Sequence, residues 1–149
     1  MNAETSANIS FFVEEDVSHP FPSDEPEYSK WLNSVAAEEN KTISTLTYIF
    51  CSDEYLLDIN LTYLGHDYYT DIITFPYKEG DIIESDIYIS LDRIKENAEE
   101  FKVSFYNELK RVMVHGVLHL IGYNDKSEKE VITIREKEDY YIRRFDFLS

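Results

Sequence analysis

The sequence predicts an α+β fold, in which a roughly four-stranded mixed sheet packs with about five helices. β-branched and aromatic runs alternate along the chain with segments of helical periodicity, which favours a sheet combined with helices. A chain of 149 residues with 43% hydrophobic and 15% aromatic residues can bury a substantial core. We found no internal repeat and no linker, so we expect a single domain over residues 1–149.

Four segments rich in Ile, Val, Thr, Phe and Tyr are predicted to form the strands. They cover residues 9–17, 42–50, 70–77 and 85–91. The second segment carries apolar side chains at both odd and even positions, which predicts a strand buried on both faces. Gly80 and Asp81 are typical turn residues and separate the last two strands.

Five segments with helical periodicity are predicted to form the helices. They cover residues 24–40, 52–65, 90–101, 104–122 and 127–145. Ser52 is predicted to cap the second helix, and two capping boxes are predicted, Asp24 with Glu27 and Ser127 with Glu130. The fourth helix is apolar nearly all round, so we expect it to lie at the centre of the molecule.

The composition and the first residues exclude several classes of protein. No apolar run approaches the ~20 residues of a membrane-spanning helix, so we expect no membrane partner. The first ten residues lack the basic start and apolar stretch of a secretory signal. A single cysteine, Cys51, excludes a disulfide within the chain and fits a reducing compartment. We therefore expect a cytoplasmic protein.

The net charge of −16 should repel a nucleic-acid backbone on average. The charge is unevenly distributed along the chain. Up to Phe75 there are 14 acidic residues against two basic ones, Lys30 and Lys41. A surface that accepts an anionic partner is therefore expected mainly from the second half.

The fourth helix carries two histidines, His115 and His119, one helical turn apart. This spacing puts both rings on one face, where they can share a metal ion. Gly122 lies seven residues after His115, and Asp125 lies ten residues after it. This spacing matches the metzincin pattern, with aspartate in place of its last histidine. We therefore predict one zinc ion bound by His115, His119 and Asp125, with a metal-bound water as the reactive group. The spacing alone is also compatible with two histidines that lie in the core with their hydrogen bonds satisfied. A divalent metal other than zinc is also possible.

Gly116 occupies the position at which metallopeptidases carry their general-base glutamate. Its presence disfavours a peptidase. We expect a glycine beside the metal to let a bulky substrate come close.

The run His-Gly-Val-Leu-His-Leu-Ile-Gly-Tyr at residues 115–123 closely resembles the signature of the YbeY family of ribosomal-RNA maturation factors. Residues 59–67 and 70–76 are similar to a second block of that family, and residues 86–90 match the strand before its connecting helices. The resemblance implies a metal-dependent, single-strand-specific endoribonuclease in 16S rRNA 3′-end maturation and ribosome quality control. It also implies ribosomal RNA and the small ribosomal subunit as partners.

The sequence departs from the family pattern at two positions. Asp125 stands where the family usually has a third histidine, and Leu64 stands where it commonly has an arginine implicated in activity. An arginine can hold a phosphate in bidentate fashion, which leucine cannot. Lys126 and Arg111 are candidates for a replacement cation, although ordinary surface or ion-pair roles are the simpler interpretation.

The loop before the third strand supplies further candidates. His66 and Asp71 are the candidate catalytic residues beside the metal, and Thr70 or Asp71 could hydrogen-bond the second ring nitrogens of the metal histidines. His66 could equally be an ordinary loop residue, and Asp71 an ordinary turn residue. Tyr68 and Tyr69 could stack on unpaired bases, although packing is the commoner role of adjacent tyrosines at a strand edge.

The last helix contains several basic residues that could face phosphates. These are Arg135, Lys137, Arg143 and Arg144. The interleaved acids Glu136, Glu138 and Asp139 favour a solvated, salt-bridged helix instead.

Two other functions are carried as alternatives. One is a non-catalytic ribosome-assembly or RNA-binding factor, motivated by Leu64 and the net charge of −16. The other is a metzincin-like hydrolase, which Gly116 disfavours.

Overall fold

The computed structural model describes residues 8–148, with side chains described up to residue 146. Within that range the strands are β1 (Ile9–Val13), β2 (Thr42–Cys51), β3 (Ile72–Lys78) and β4 (Ile82–Ser90). The α-helices are α1 (Glu25–Glu38), α2 (Asp53–Ile59), α3 (Leu91–Phe101), α4 (Phe105–Ile121) and α5 (Glu128–Leu148). A π-helical turn, Asn60–Leu64, continues α2.

The strands form one mixed sheet in the order β1-β2-β4-β3. β2 pairs in parallel with β1 and β4, and β3 pairs antiparallel with β4. The predicted α+β class, with a four-stranded mixed sheet and five helices, is confirmed. β1 is shorter than the predicted segment 9–17, because its pairing with β2 ends where Val13 meets Phe50.

Most helix starts follow the sequence signals. The side chains of Ser52, Ser90 and Ser104 each accept a hydrogen bond from a backbone N–H in the first turn of their helix. The box of Ser127 and Glu130 forms with reciprocal bonds of 3.0 and 3.1 Å. The predicted box at α1 is wrong. Asp24 precedes α1, but its backbone (φ −114°, ψ 16°) lies outside the extended region of a usual N-cap, and its side chain makes no capping bond.

Helix α4 lies at the centre of the molecule, as predicted. Its buried residues pack in the main core with the inner face of the sheet and with α1 and α5. The opposite face of the sheet is covered in part by α2, whose Leu56 packs with Cys51 and Ile73. β2 is therefore buried on both faces only in its second half, whereas Ser44 and Thr45 are exposed. None of the described helices is long and apolar enough to cross a bilayer.

Candidate metal centre

One stripe of helix α4 remains partly exposed although the rest of its second half is buried. Arg111, His115 and His119 are spaced four residues apart, so successive turns place them on one side of the helix. The two imidazole rings lie with their centroids 4.4 Å apart. The stripe therefore presents polar side chains toward solvent from an otherwise apolar core helix.

The chain turns back toward this stripe directly after α4. Gly122 ends the helix with φ +129°, a conformation that L side chains rarely adopt. The turn brings Asp125 Oδ2 to 3.3 Å from His119 Nε2 and 3.6 Å from His115 Nε2. One ligand atom from each of the three side chains lies within 4.8 Å of the others. The structure thus brings together all three predicted ligands.

The donor set fits a divalent ion such as zinc. Two imidazole nitrogens and a carboxylate oxygen are ordinary zinc ligands, and three protein ligands leave room for a further one. His115 turns its Nε2 toward Asp125 and donates from Nδ1 to Glu138 Oε2 at 2.5 Å. A carboxylate on the far nitrogen of a ligating histidine fixes the tautomer and the ring orientation.

The role of Glu138 was not predicted from the sequence. Its side chain is 5% exposed and accepts a second hydrogen bond from Arg111 Nη1 at 2.9 Å. The interpretation of Glu138 as part of a solvated helix face is therefore wrong. The signal was present in the sequence, because Glu138 lies in register with Ile134, Tyr141 and Phe145, the buried stripe of α5.

The electrostatics of His115 follow from this arrangement. Burial alone would lower its pKa, but the hydrogen bond and charge of Glu138, aided by Asp125 and Asp71, raise it above the usual value. Arg111 also donates to Asp139 at 2.6 Å, so its guanidinium is held between two carboxylates. The interpretation of Arg111 as an ion-pair residue is confirmed.

A cleft of about 300 Å³ is lined by two of the three predicted ligands, His115 and Asp125. Asp71 lines it together with His115 and Asp125, and burial raises the pKa of Asp71 despite the opposing charge of His115. His66 does not line this cleft; it lies in the exposed loop, 2.9 Å from the hydroxyl of Tyr68. Thr70 bonds locally to the carbonyl of Ile72, so the group on the second nitrogen of His115 is Glu138 rather than Thr70 or Asp71.

The expected role of Gly116 is wrong. A Cβ at this position would lie 3.1 Å from Ile72 Cδ1 and 3.2 Å from Ile87 Cδ1. Gly116 therefore faces the sheet and allows α4 to pack closely against β3 and β4. It does not open space for a substrate.

The basic residues of α5 differ in their partners. Lys137 and Arg144 form ion pairs with Glu39 and Glu38 beside α1, as expected for a salt-bridged helix. Arg135 instead lines the cleft, and it makes no ion pair within 4 Å among residues 8–148.

Tyr68 and Tyr69 are about half exposed rather than packed in the core. The ring of Tyr68 stacks on His66, and the guanidinium of Arg93 lies 5.4 Å from the ring centre of Tyr69. The faces of the two rings are therefore already partly occupied by neighbouring side chains.

The chain is similar to known proteins over nearly its whole length. The family model described as "Endoribonuclease YbeY" matches residues 13–146. A relative named "Endoribonuclease YbeY" from Flavobacterium psychrophilum is 52% identical, over 82% of this chain and 87% of the relative. One of the same name from Christiangramia forsetii is 46% identical, over 92% and 94%. The solution structure of TM1509 from Thermotoga maritima superposes with a TM-score of 0.69 at 28% identity, over 92% of this chain and 88% of that one.

Proposed function

This chain belongs to the YbeY endoribonuclease family, and we propose that it is a cytoplasmic, metal-dependent enzyme that cleaves single-stranded RNA during maturation of the 16S rRNA 3′ end. The observation that carries the proposal is the convergence of His115, His119 and Asp125 beside an open cleft. Residues 1–149 act as a single domain, with ribosomal RNA in the small ribosomal subunit as the substrate.

The three ligands are proposed to hold one zinc ion per chain. Asp125 takes the place of a third histidine, and its exposed carboxylate lies close enough to both imidazoles to do so. A zinc ion held by these residues would supply Lewis acidity to a phosphodiester and would lower the pKa of a bound water molecule. Glu138 accepts the Nδ1 proton of His115, so in the neutral ring Nε2 carries the free lone pair and is directed at the site.

Asp71, rather than His66, is proposed to move a proton in the reaction. Hydrolysis adds water to phosphorus and breaks the bond to a ribose oxygen, which then needs a proton. Asp71 lines the cleft, and burial raises its pKa toward the range in which a carboxyl group can donate. His66 lies outside the cleft and bonds to Tyr68.

Arg135 is proposed to bind an RNA phosphate in place of the arginine that Leu64 replaces. Its exposed guanidinium lines the cleft and is not held by a carboxylate within 4 Å in the described part of the chain. Arg111 cannot take this role while it binds Glu138 and Asp139. A planar guanidinium suits bidentate binding of a phosphate.

The test combines metal analysis with RNA cleavage. Protein purified without chelators is expected to contain about one zinc per chain, lost in His115→Ala, and to cleave an unstructured RNA. His119→Ala should abolish cleavage, and Asp71→Asn should lower the rate by roughly 100-fold while the zinc content is unchanged. Equal cleavage by wild type and His119→Ala would indicate a contaminating nuclease and refute the proposal.

The non-catalytic assembly factor remains the second candidate because of Leu64 and the net charge of −16. It predicts that the protein sediments with small ribosomal subunits and that folded His119→Ala does so equally well. Association without any RNA cleavage by the zinc-loaded protein would favour this alternative.

A further inference from the structure

The cleft beside the metal ligands extends to a second carboxyl group, Glu108. This residue lies on α4 two turns before His115, lines the cleft and is 4% exposed. Within residues 8–148 its carboxyl group makes no hydrogen bond and no ion pair within 4 Å, although Arg111 and Arg135 act on it electrostatically. Its oxygens are not among the fully enclosed, unpartnered polar atoms of the described residues, so they open into the cleft and can accept hydrogen bonds from a group that enters it.

Apolar side chains form part of the walls of the cleft. Ile72, Val112 and Ile134 line the interior, and the half-exposed Phe101 lies on the outer wall. A volume of about 300 Å³ lies at the lower end of the range for small-molecule sites. The cleft therefore has room for one small group that combines apolar faces with hydrogen-bond donors.

The charges in the cleft show which part of an RNA strand fits there. Asp71, Glu108 and Glu138 all line it, so a phosphate group placed deep inside would meet three carboxyl groups. A nucleobase has no charge and can place its amino group against Glu108. Arg135 also lines the cleft and can bind the attached phosphate.

We propose that this cleft holds one unpaired nucleobase of the RNA, with Glu108 accepting hydrogen bonds from its amino group and Phe101 stacking on its face. The inference rests on the proposed RNA-cleaving function and adds a base preference to it. Adenine, cytosine and guanine carry an exocyclic amino group, whereas uracil presents carbonyl oxygens on both sides of its ring N–H. We therefore expect uracil to be disfavoured beside the metal ligands.

Nucleoside 5′-monophosphates test this proposal without any cleavage, because they contain no phosphodiester bond. AMP, CMP, GMP and UMP are titrated into zinc-loaded protein, and amide NMR shifts around Leu109 and Val112 report binding in the cleft. The first three should bind about tenfold more tightly than UMP. The phosphate is common to all four, so the ratio isolates the base.

Two variants separate recognition from stacking. Glu108→Gln can both donate and accept, so UMP should bind it nearly as well as the others. Phe101→Ala should weaken all four ligands by about tenfold while the preference remains. Glu99→Gln, which removes an exposed acid of α3 outside the cleft, is the control and should behave as wild type.

Several outcomes would overturn the proposal. These are equal binding of the four nucleotides, no binding at millimolar concentration, an unchanged preference in Glu108→Gln, or a second metal equivalent that Glu108→Gln loses. If the preference is observed but RNA is not cleaved, the nuclease proposal fails and the base site stands. If RNA is cleaved without any effect of Glu108→Gln, the base site fails and the nuclease proposal stands.

Discussion

Two carboxylates with little exposure, Glu39 after α1 (10%) and Glu138 on α5 (5%), differ in what satisfies them. Glu39 accepts hydrogen bonds from the hydroxyls of Tyr123 and Tyr141 and from the amine of Lys137. Glu138 accepts from Arg111 and from His115, whose other ring nitrogen faces the candidate metal site.

The difference separates a structural network from a functional one. The donors to Glu39 are side chains that belong to α5 or, for Tyr123, to the turn after α4. Burial raises the pKa of Glu39, but the hydrogen bonds from these donors lower it overall. Glu138 instead accepts a hydrogen bond from His115, whose other ring nitrogen faces the candidate metal site. A buried carboxylate is therefore a sign of function when one of its partners is left with a free coordinating atom.

The largest expected effect on stability comes from removing the cation that pairs with Glu138. Arg111→Met leaves Glu138 buried without its main cationic partner and should lower the free energy of unfolding by about 3 kcal/mol. Lys137→Met is the matched control and should cost only about 0.5 kcal/mol, because Lys137 is partly exposed and the two hydroxyls still satisfy Glu39. Urea unfolding measures both. Equal losses would show that the two networks do not differ in this way.

Neutralising each carboxylate should affect metal binding very differently. Glu138→Gln keeps an acceptor for His115 but removes the charge, so zinc affinity should fall by about tenfold. Glu39→Gln should leave zinc affinity unchanged, because no metal ligand contacts Glu39. Competition with a fluorescent chelator measures both affinities, and a similar loss in the two variants would refute the comparison.

The two networks also predict a specific pH dependence. Protonated His115 cannot bind zinc, so affinity should fall by about tenfold per pH unit once the pH drops below the raised pKa of His115. Without metal the sign reverses, because a raised histidine pKa stabilises the fold below the unfolded value of about 6.5 and this stability is lost as pH rises through the folded pKa.

Metal-free protein should therefore lose stability as the pH rises above about 6.5 and through the raised pKa of His115, whereas the zinc-loaded protein should gain it. Thermal unfolding at a series of pH values measures this. In Glu138→Gln the fall in zinc affinity should move to lower pH, and an unchanged profile would show that Glu138 does not control His115.

A small effect, confined to stability, is expected from Tyr141→Phe. Loss of one donor to Glu39 should cost about 1 kcal/mol at neutral pH, with zinc binding unaffected. Because the pKa of Glu39 is lowered, its contribution is present above the unfolded value of about 4.3 and is lost as pH falls through the folded pKa. The difference between variant and wild type should therefore shrink in acid, and a constant difference would contradict the assignment.

The sequence alone determined most of the elements and the candidate ligands. Period-two and helical patterns located the strands and helices, and serines marked four helix starts, because these signals depend on local backbone chemistry. The spacing of His115 and His119, followed by Gly122, was enough to predict the convergence on Asp125. One helical turn and one glycine-dependent turn specify that geometry without distant parts of the chain.

Tertiary structure decided the partners of those ligands. Glu138 lies 23 residues from His115, and its pairing depends on how α5 packs against α4. The same packing commits Arg111 to Glu138, leaves Arg135 in the cleft, buries Glu108 without a hydrogen bond in the described residues, and turns Gly116 toward Ile72 and Ile87. Helical periodicity specifies which residues share a face of one helix, but the neighbour of that face, and hence its charge and solvent access, is set by the packing of the whole chain.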